Sequence, residues 1–316
     1  MKQGNAKAIL WLGILWILQA GFVNVPTLDL SSSKVTFEIK FKEEKTSYRQ
    51  MSLFVFPGEK FPLEVMEKGD YDLKTSLSYT LLTPRKWEIQ APLQKGIYSI
   101  QIFGPKEESM TLHLLVMIPF ARLKEGYLNG YRIGSYPSTP LHNLPIYDLP
   151  KGFVEVTPEN ENLFLTPHFQ LKQFVAKQES AYPKYVVLRE RLLLNLELVL
   201  EEVNRSGYRA DTLYVMSGYR TPYYNKAIGN STTYSRHTWG DAADIFIDAN
   251  NDGIMDDLNR DGKVDSSDAA ALFQLIDHLY KEPWYAPFVG GLAQYNSSEH
   301  HGPFVHVDVR GIPARW

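Results

Sequence analysis

The sequence predicts an α+β protein in two parts: an all-β, sandwich-like N-terminal domain, then a mixed domain of helices and strands. Three observations predict it. Residues 27–118 contain short runs with an apolar residue at every second position, the period of a half-buried strand. Leu188, Leu192, Leu196, Val199 and Val203 then recur at helical spacing. Near the end, Phe304 to Arg310 alternates valines with His306, Asp308 and Arg310, again a strand period. The chain has 316 residues, a length that suits two domains plus a targeting segment. It is 44% hydrophobic, enough for ordinary packed cores.

Residues 1–25 read as an export signal. Lys2 and Lys7 make a basic start, Ile9 to Leu18 is apolar, and Gln19, Ala20 and Gly21 form a small, polar end. The apolar stretch extends through Phe22, Val23 and Val25 and just reaches membrane-spanning length. The segment is therefore either a cleaved signal or an uncleaved inner-membrane anchor. Both place the rest of the chain outside the cytoplasm, in the periplasm or cell envelope.

In the 27–118 domain, Val35–Phe41, Ser52–Phe56, Gly96–Phe103 and Thr111–Met117 are strand candidates, with turn signals at Pro57-Gly58, Gly69-Asp70 and Gly104-Pro105. About seven short strands in this length suit a β-sandwich. His113 stands alone in a strand and reads as structural, and no partner for this domain is legible. Residues 119–164 are rich in Gly, Pro, Tyr and Asn and read as an irregular connection. From 165 to 316 a second domain is expected. Its first helix has Leu193 and Leu200 widening the apolar face and Gly207 as its stop, and Leu213 to Met216 follows as a short buried strand.

The absence of cysteine excludes a disulfide framework, a thiolate metal site, a cysteine nucleophile and a lipoprotein anchor. The net charge of −3 argues neither for nor against nucleic acid, and no nucleic-acid partner is expected.

The chemistry gathers in three segments: Ser217-Gly-Tyr-Arg220, Ser235-Arg-His237-Thr-Trp-Gly240-Asp-Ala242-Ala-Asp244, and Phe304-Val-His306-Val-Asp308-Val-Arg310. A catalytic zinc takes three protein ligands from His and carboxylate and leaves one position open. His237 and Asp244 can fold back onto one ion across a turn at Gly240, with Ala242 and Ala243 leaving room. His306 supplies a third ligand from the polar face of its strand. A lone His and Asp seven apart occur often by chance; the three segments together are far more specific.

These segments resemble the zinc D-alanyl-D-alanine carboxypeptidase family of cell-wall metallopeptidases, over about residues 165–316 and including His168–Phe174 and Arg315-Trp316. The resemblance does not cover the N-terminal domain. It implies a small antiparallel sheet with packed helices, zinc on His237, Asp244 and His306, and peptidoglycan peptides as substrates. It also implies that Arg220 binds a substrate carboxylate or steadies the carbonyl oxygen in the transition state, tasks that its charged, planar fork suits, with Ser235 beside it in substrate binding. Many members carry an acid three residues before the last histidine ligand; here Pro303 stands there. His301 is the leading general base, with His300, Glu299 and Asp308 as alternatives, and Asp308 otherwise orients a ligand or Arg220.

An insert at 248–268 matches two overlapping twelve-residue calcium loops of the dockerin and EF-hand kind. The first offers Asp248, Asn250, Asp252, Ile254 through its carbonyl, and Asp256. The second offers Asp257, Asn259, Asp261, the Lys263 carbonyl, Asp265 and Asp268, with Gly253 and Gly262 at the turn positions. Seven aspartates against Arg260 and Lys263 require either a cation or full solvation. Bound calcium here would be structural. The leading function is hydrolysis of peptidoglycan peptides, as a carboxypeptidase or a crosslink endopeptidase. The alternative is a non-catalytic, metal-stabilised wall-binding protein; a calcium-dependent scaffold is weaker, because its loops normally stand apart.

Overall fold

The computed structural model describes residues 30–230 and 232–316. The export signal or anchor expected over residues 1–25 lies outside them. Among the described residues no helix is long and apolar enough to cross a membrane.

Nine strands occupy residues 34–116: β1 (Lys34–Phe41), β2 (Glu44–Tyr48), β3 (Gln50–Val55), β4 (Lys60–Val65), β5 (Asp72–Thr75), β6 (Ser78–Thr83), β7 (Lys86–Gln90), β8 (Gly96–Phe103) and β9 (Ser109–Val116). They form a five-stranded sheet in the order β2-β1-β4-β7-β6 and a four-stranded sheet in the order β3-β9-β8-β5. The alternation in β1 turns Val35, Phe37, Ile39 and Phe41 inward, and they join Met51, Leu53, Leu112 and Leu114 of the other sheet in one buried cluster. Two features depart from the sequence reading. There are nine strands rather than about seven: β5 has only four residues, none of them fully buried, and β6 is exposed throughout. Strand β3 is buried at five of six residues, since one face meets the β cluster and the other meets a helix of the following part.

The connection carries only short pieces: β10 (Ile118–Pro119), β11 (Tyr127–Leu128) and β12 (Tyr131–Arg132), then β13 (Gly152–Val156) and β14 (Lys184–Val186). The 16-residue helix α1 (Glu190–Arg205) follows. Beyond it lie β15 (Tyr214–Ser217), α2 (Pro222–Ala227), β16 (Ala242–Phe246), α3 (Ser266–Leu279), β17 (Gly291–Tyr295), β18 (Phe304–Asp308) and β19 (Ala314–Arg315). The sheet order is β15-β16-β18-β17-β19, antiparallel except where β17 meets β19. Helices α1 and α3 pack on each other, and α3 also packs on β17 and β18. Val305 and Val307 fill that core, so the alternation of β18 turns His306 and Asp308 to the opposite face. The molecule is α+β with mostly small antiparallel sheets.

Candidate metal centre and cleft

Strand register builds the centre. Asp244 on β16 lies directly opposite His306 on β18, and Ser217 on β15 lies opposite Asp244. Residues opposite one another on antiparallel strands share a face, so the three stand in a row across the sheet. His237 reaches the row from a short 3₁₀ turn, Arg236–Trp239, that ends at Gly240. Gly240 has φ +69°, and a Cβ there would lie 2.1 Å from the Val187 carbonyl oxygen. Only glycine permits this turn, which delivers His237 back over Asp244.

His237 Nε2, Asp244 Oδ1 and His306 Nδ1 converge. The separations are 3.2 Å between His237 and His306, 3.2 Å between His237 and Asp244, and 2.9 Å between His306 and Asp244. Ligands ~2.0–2.1 Å from a tetrahedral zinc stand about 3.3 Å apart, so the three atoms fit three corners around one ion. All three residues are buried. Among the described residues, no other set of three His, Cys, Asp or Glu side chains meets in this way.

The far side of each ring is also placed. His237 Nδ1 donates to the Gly218 carbonyl at 2.7 Å, which leaves Nε2 as the free lone pair. His306 Nε2 faces Asp308 Oδ2 at 3.3 Å, which leaves Nδ1 toward the centre. Such outer bonds fix the tautomer and strengthen the ligand. Asp308 is fully buried, and its oxygens also accept from Arg310 Nε and from the Gly291 amide at 2.8 Å. Burial opposes charge on Asp308, yet His306 and Arg310 hold its carboxyl far below the usual range. Burial likewise opposes charge on His306, but Asp244 and Asp308 outweigh it and push the imidazole up to about 9. Burial lowers the pKa of His237. Asp244, although desolvated, is held well below the usual carboxylate range by His237, His306 and Arg220. Two carboxylates in one dry site demand positive charge between them, which is the condition a divalent metal meets.

Arg220 donates through Nε to Ser217 Oγ at 2.7 Å and through Nη2 to Asp244 Oδ2. It therefore touches the carboxylate that faces the centre. The centre opens into a cleft of about 1290 Å³. Arg220, Ser235, His300 and His301 line it, but Glu299 is not among the lining residues. His301 is half-buried, and its ring stands edge-on to Phe304 at 5.0 Å. Pro303 is buried.

Two lining residues carried no sequence signal as site residues. Trp316 packs over the His306 ring at 5.3 Å and donates through Nε1 to the Tyr295 hydroxyl at 2.6 Å. Lys177 lies in a stretch without periodicity, and nothing marks it as a cleft residue before the fold is known.

In the insert, Asp248 accepts from the Asp252 and Gly253 amides at 3.0 and 2.9 Å. Asp257 accepts in the same way from Asp261 and Gly262 at 3.2 and 2.8 Å. Gly253 and Gly262 have φ +82° and +85°, as the expected turns require. Asp268, expected to close the second loop around an ion, is fully buried and faces backbone amides. It accepts from Leu258 and Asn259 at 2.7 and 3.2 Å and from Asp265 at 2.8 Å, and so caps α3.

Residues 167–267 match the family model described as Peptidase M15. Over that segment the chain is similar to the M15 peptidases. The match takes in His237, Asp244 and the insert up to Ser267, while His306 comes to the same centre through the pairing of β18 with β16. That similarity supports a metallopeptidase, and the centre above is the candidate metal site. No curated protein matches the chain. Among solved structures, that of the S-layer protein SbsC domains 4 and 5 is similar at 12% identity, with a TM-score of 0.17. It covers 21% of this chain, which in turn spans 47% of the SbsC chain.

Proposed function

We propose that the protein is an exported, zinc-dependent peptidase that hydrolyses peptide bonds in peptidoglycan, as a D-alanyl-D-alanine carboxypeptidase or a crosslink endopeptidase. The observation that carries this reading is the convergence of His237, Asp244 and His306, with both imidazole lone pairs aimed inward, at the floor of an open cleft. Bound zinc supplies Lewis acidity, which polarises a scissile carbonyl and acidifies a water. The chain supplies the rest. Asp308 and the Gly218 carbonyl orient the two imidazoles. Arg220 fixes Asp244 and presents its positive charge to the carbonyl oxygen as negative charge develops there. His301, on the cleft wall, is the residue that takes the proton from water and returns it to the leaving amine. Asp308 is a positioning residue in this reading, because its oxygens already serve His306, Arg310 and Gly291.

Export and the placing of the protein in the periplasm or envelope rest on residues 1–25 of the sequence. The deciding experiment incubates purified peptidoglycan fragments with the protein and its His301→Ala variant, with and without a zinc chelator, followed by mass analysis. Chelator-sensitive loss of D-alanine, or cleavage of crosslinks, that falls about a hundredfold in the variant is expected. Binding of fragments without turnover would favour the non-catalytic wall-binding alternative, which Pro303 in place of an acid keeps in view.

Calcium on the 248–268 insert belongs to the same proposal, supported by the paired aspartate-to-amide turns. A ligand that binds only the folded loop stabilises it by mass action. Calcium is expected to raise the thermal midpoint, and Asp261→Ala to abolish most of that rise. Calorimetry without calcium binding at millimolar concentration would reduce the insert to a solvated acidic loop.

A further inference from the structure

The cleft has a simple charge inventory. Its lining includes four cations, Lys177, Arg220, Arg236 and Arg310, and one acid, Asp244. Three cations are already matched. Arg220 pairs with Asp244, Arg236 with Asp241 and Arg310 with Asp308. Lys177 is the exception among these four: no carboxylate of the described residues lies within ion-pairing distance, Asp244 acts on it only from further off, and the Tyr214 ring stands 6.0 Å from its ammonium.

The backbone holds Lys177 at this place. On one side, Phe174 accepts a bond from the Tyr219 amide at 3.0 Å. On the other, the Gln178 side chain is buried, accepts from the Thr221 hydroxyl at 2.5 Å and donates to the Arg132 carbonyl at 2.9 Å. Both ties reach the segment that carries Arg220, so Lys177 stands on the rim beside Arg220. Burial, and after it the charge of Arg220, lowers the Lys177 pKa, which is the mark of two cations sharing a partly dry site. Such a pair attracts an anion, and Arg220 has already committed one of its two outer nitrogens, Nη2, to Asp244.

We propose that Lys177 binds the free carboxylate of the residue that follows the scissile bond, and that this makes the enzyme select a C-terminal residue with its free acid over one whose carboxylate is blocked. The inference rests on the peptidase reading above and moves the carboxylate-anchoring task from Arg220 to Lys177. A crosslink in which the residue after the scissile bond carries no free carboxylate leaves Lys177 unmatched and binds more weakly.

The test compares diacetylated L-lysyl-D-alanyl-D-alanine as free acid and as C-terminal carboxamide, on the zinc-loaded protein and on Lys177→Gln and Lys177→Arg. Lys177 is exposed at the rim, so its replacement leaves folding intact. A charge-assisted bond of this kind gives roughly a ten- to hundredfold preference in kcat/KM for the acid, expressed mainly in KM. Lys177→Gln is expected to lose that preference, its kcat/KM on the acid falling to the level of the amide, and Lys177→Arg to keep part of it. Equal hydrolysis of both peptides by the native protein, or a preference that survives in Lys177→Gln, overturns the assignment and leaves the peptidase reading standing. If neither peptide is hydrolysed, the peptidase reading falls, and calorimetric Kd values for the two forms still decide Lys177. Tighter binding of the acid that disappears in Lys177→Gln supports it, and equal Kd values refute it.

Discussion

At the scale of residues, the centre is a set of buried charges that hold one another. His306 sits between Asp244 and Asp308 with its pKa pushed up to about 9, against an ordinary value of 6.5. A base whose pKa is raised by folding contributes stability that is full below pH 6.5 and lost as pH rises through about 9. Protein treated with chelator is therefore expected to lose thermal stability between pH 6.5 and 9.5, by an amount on the order of 3 kcal/mol. His237 does not contribute in that window, because burial lowers its pKa. His306→Gln is expected to flatten the profile. A thermal midpoint that stays level over this range in the native sequence would show that His306 is not held as the cation between the two acids. Arg220 is bound by geometry as well as charge, since it reaches Ser217 and Asp244 with two nitrogens of one planar fork. Lysine cannot reproduce that. Arg220→Lys is accordingly expected to cost nearly as much turnover as Arg220→Ala, about 2–4 kcal/mol in transition-state stabilisation; unchanged turnover in the lysine variant would leave Arg220 a structural role only.

At the scale of elements, the turn at Gly240 makes the sharpest demand. A methyl group there meets the Val187 carbonyl oxygen at 2.1 Å, and φ +69° adds strain for any side chain. Gly240→Ala is expected to lose about 2–4 kcal/mol in urea unfolding and to weaken metal binding, because His237 and Asp244 flank the turn. An unchanged unfolding midpoint would mean that the loop relaxes freely. This turn was legible in the sequence, as was the alternation of β18 that separates Val305 and Val307 from His306 and Asp308. Both follow from local rules that need only a few residues. Other features were not legible, for physical reasons. The bonds that Asp268 accepts from the amides of Leu258 and Asn259 depend on how the loop folds back onto the start of α3, which residue type alone does not show. Lys177 belongs to the cleft solely because Gln178 is tied to Thr221 and Arg132 across the chain. Strands β5 and β6 hid because an exposed or very short strand has no inward face to imprint a pattern.

At the scale of the molecule, the two parts share one buried cluster, and α1 is the element between them. Its burial extends beyond a single apolar stripe: Leu192, Leu193, Leu194, Leu196, Val199 and Leu200 are all buried, as a helix covered on more than one side requires. Glu190, Leu194 and Glu201 recur on one face at positions i, i+4 and i+11, and the β strands meet that face. Lys42 and the Phe54 amide donate to Glu190 at 2.6 and 3.0 Å, while Lys34 and the Tyr48 hydroxyl donate to Glu201 at 2.8 and 2.6 Å. Arg191 reaches back to Glu44 at 2.8 Å. The lysine pairs are partly exposed and contribute little each. Removal of the β strands has larger consequences. It exposes Leu194, which costs roughly 1.5–3 kcal/mol, uncovers other apolar groups at the seam, and leaves Glu190 and Glu201 without their donors. Set against a total stability of ~5–15 kcal/mol, these losses are severe for a helix that also supports α3 and, through it, the strand of His306. A fragment of residues 118–316 is therefore expected to aggregate, or to unfold at least 10 °C below the full chain, and to bind zinc weakly. Glu190→Ala in the full chain is the milder version, with an expected loss of about 1–3 kcal/mol from the uncompensated Phe54 amide and Lys42. A soluble fragment with the thermal midpoint and zinc affinity of the full chain would show instead that residues 30–117 are a separable domain, and that the seam against α1 contributes nothing to the site.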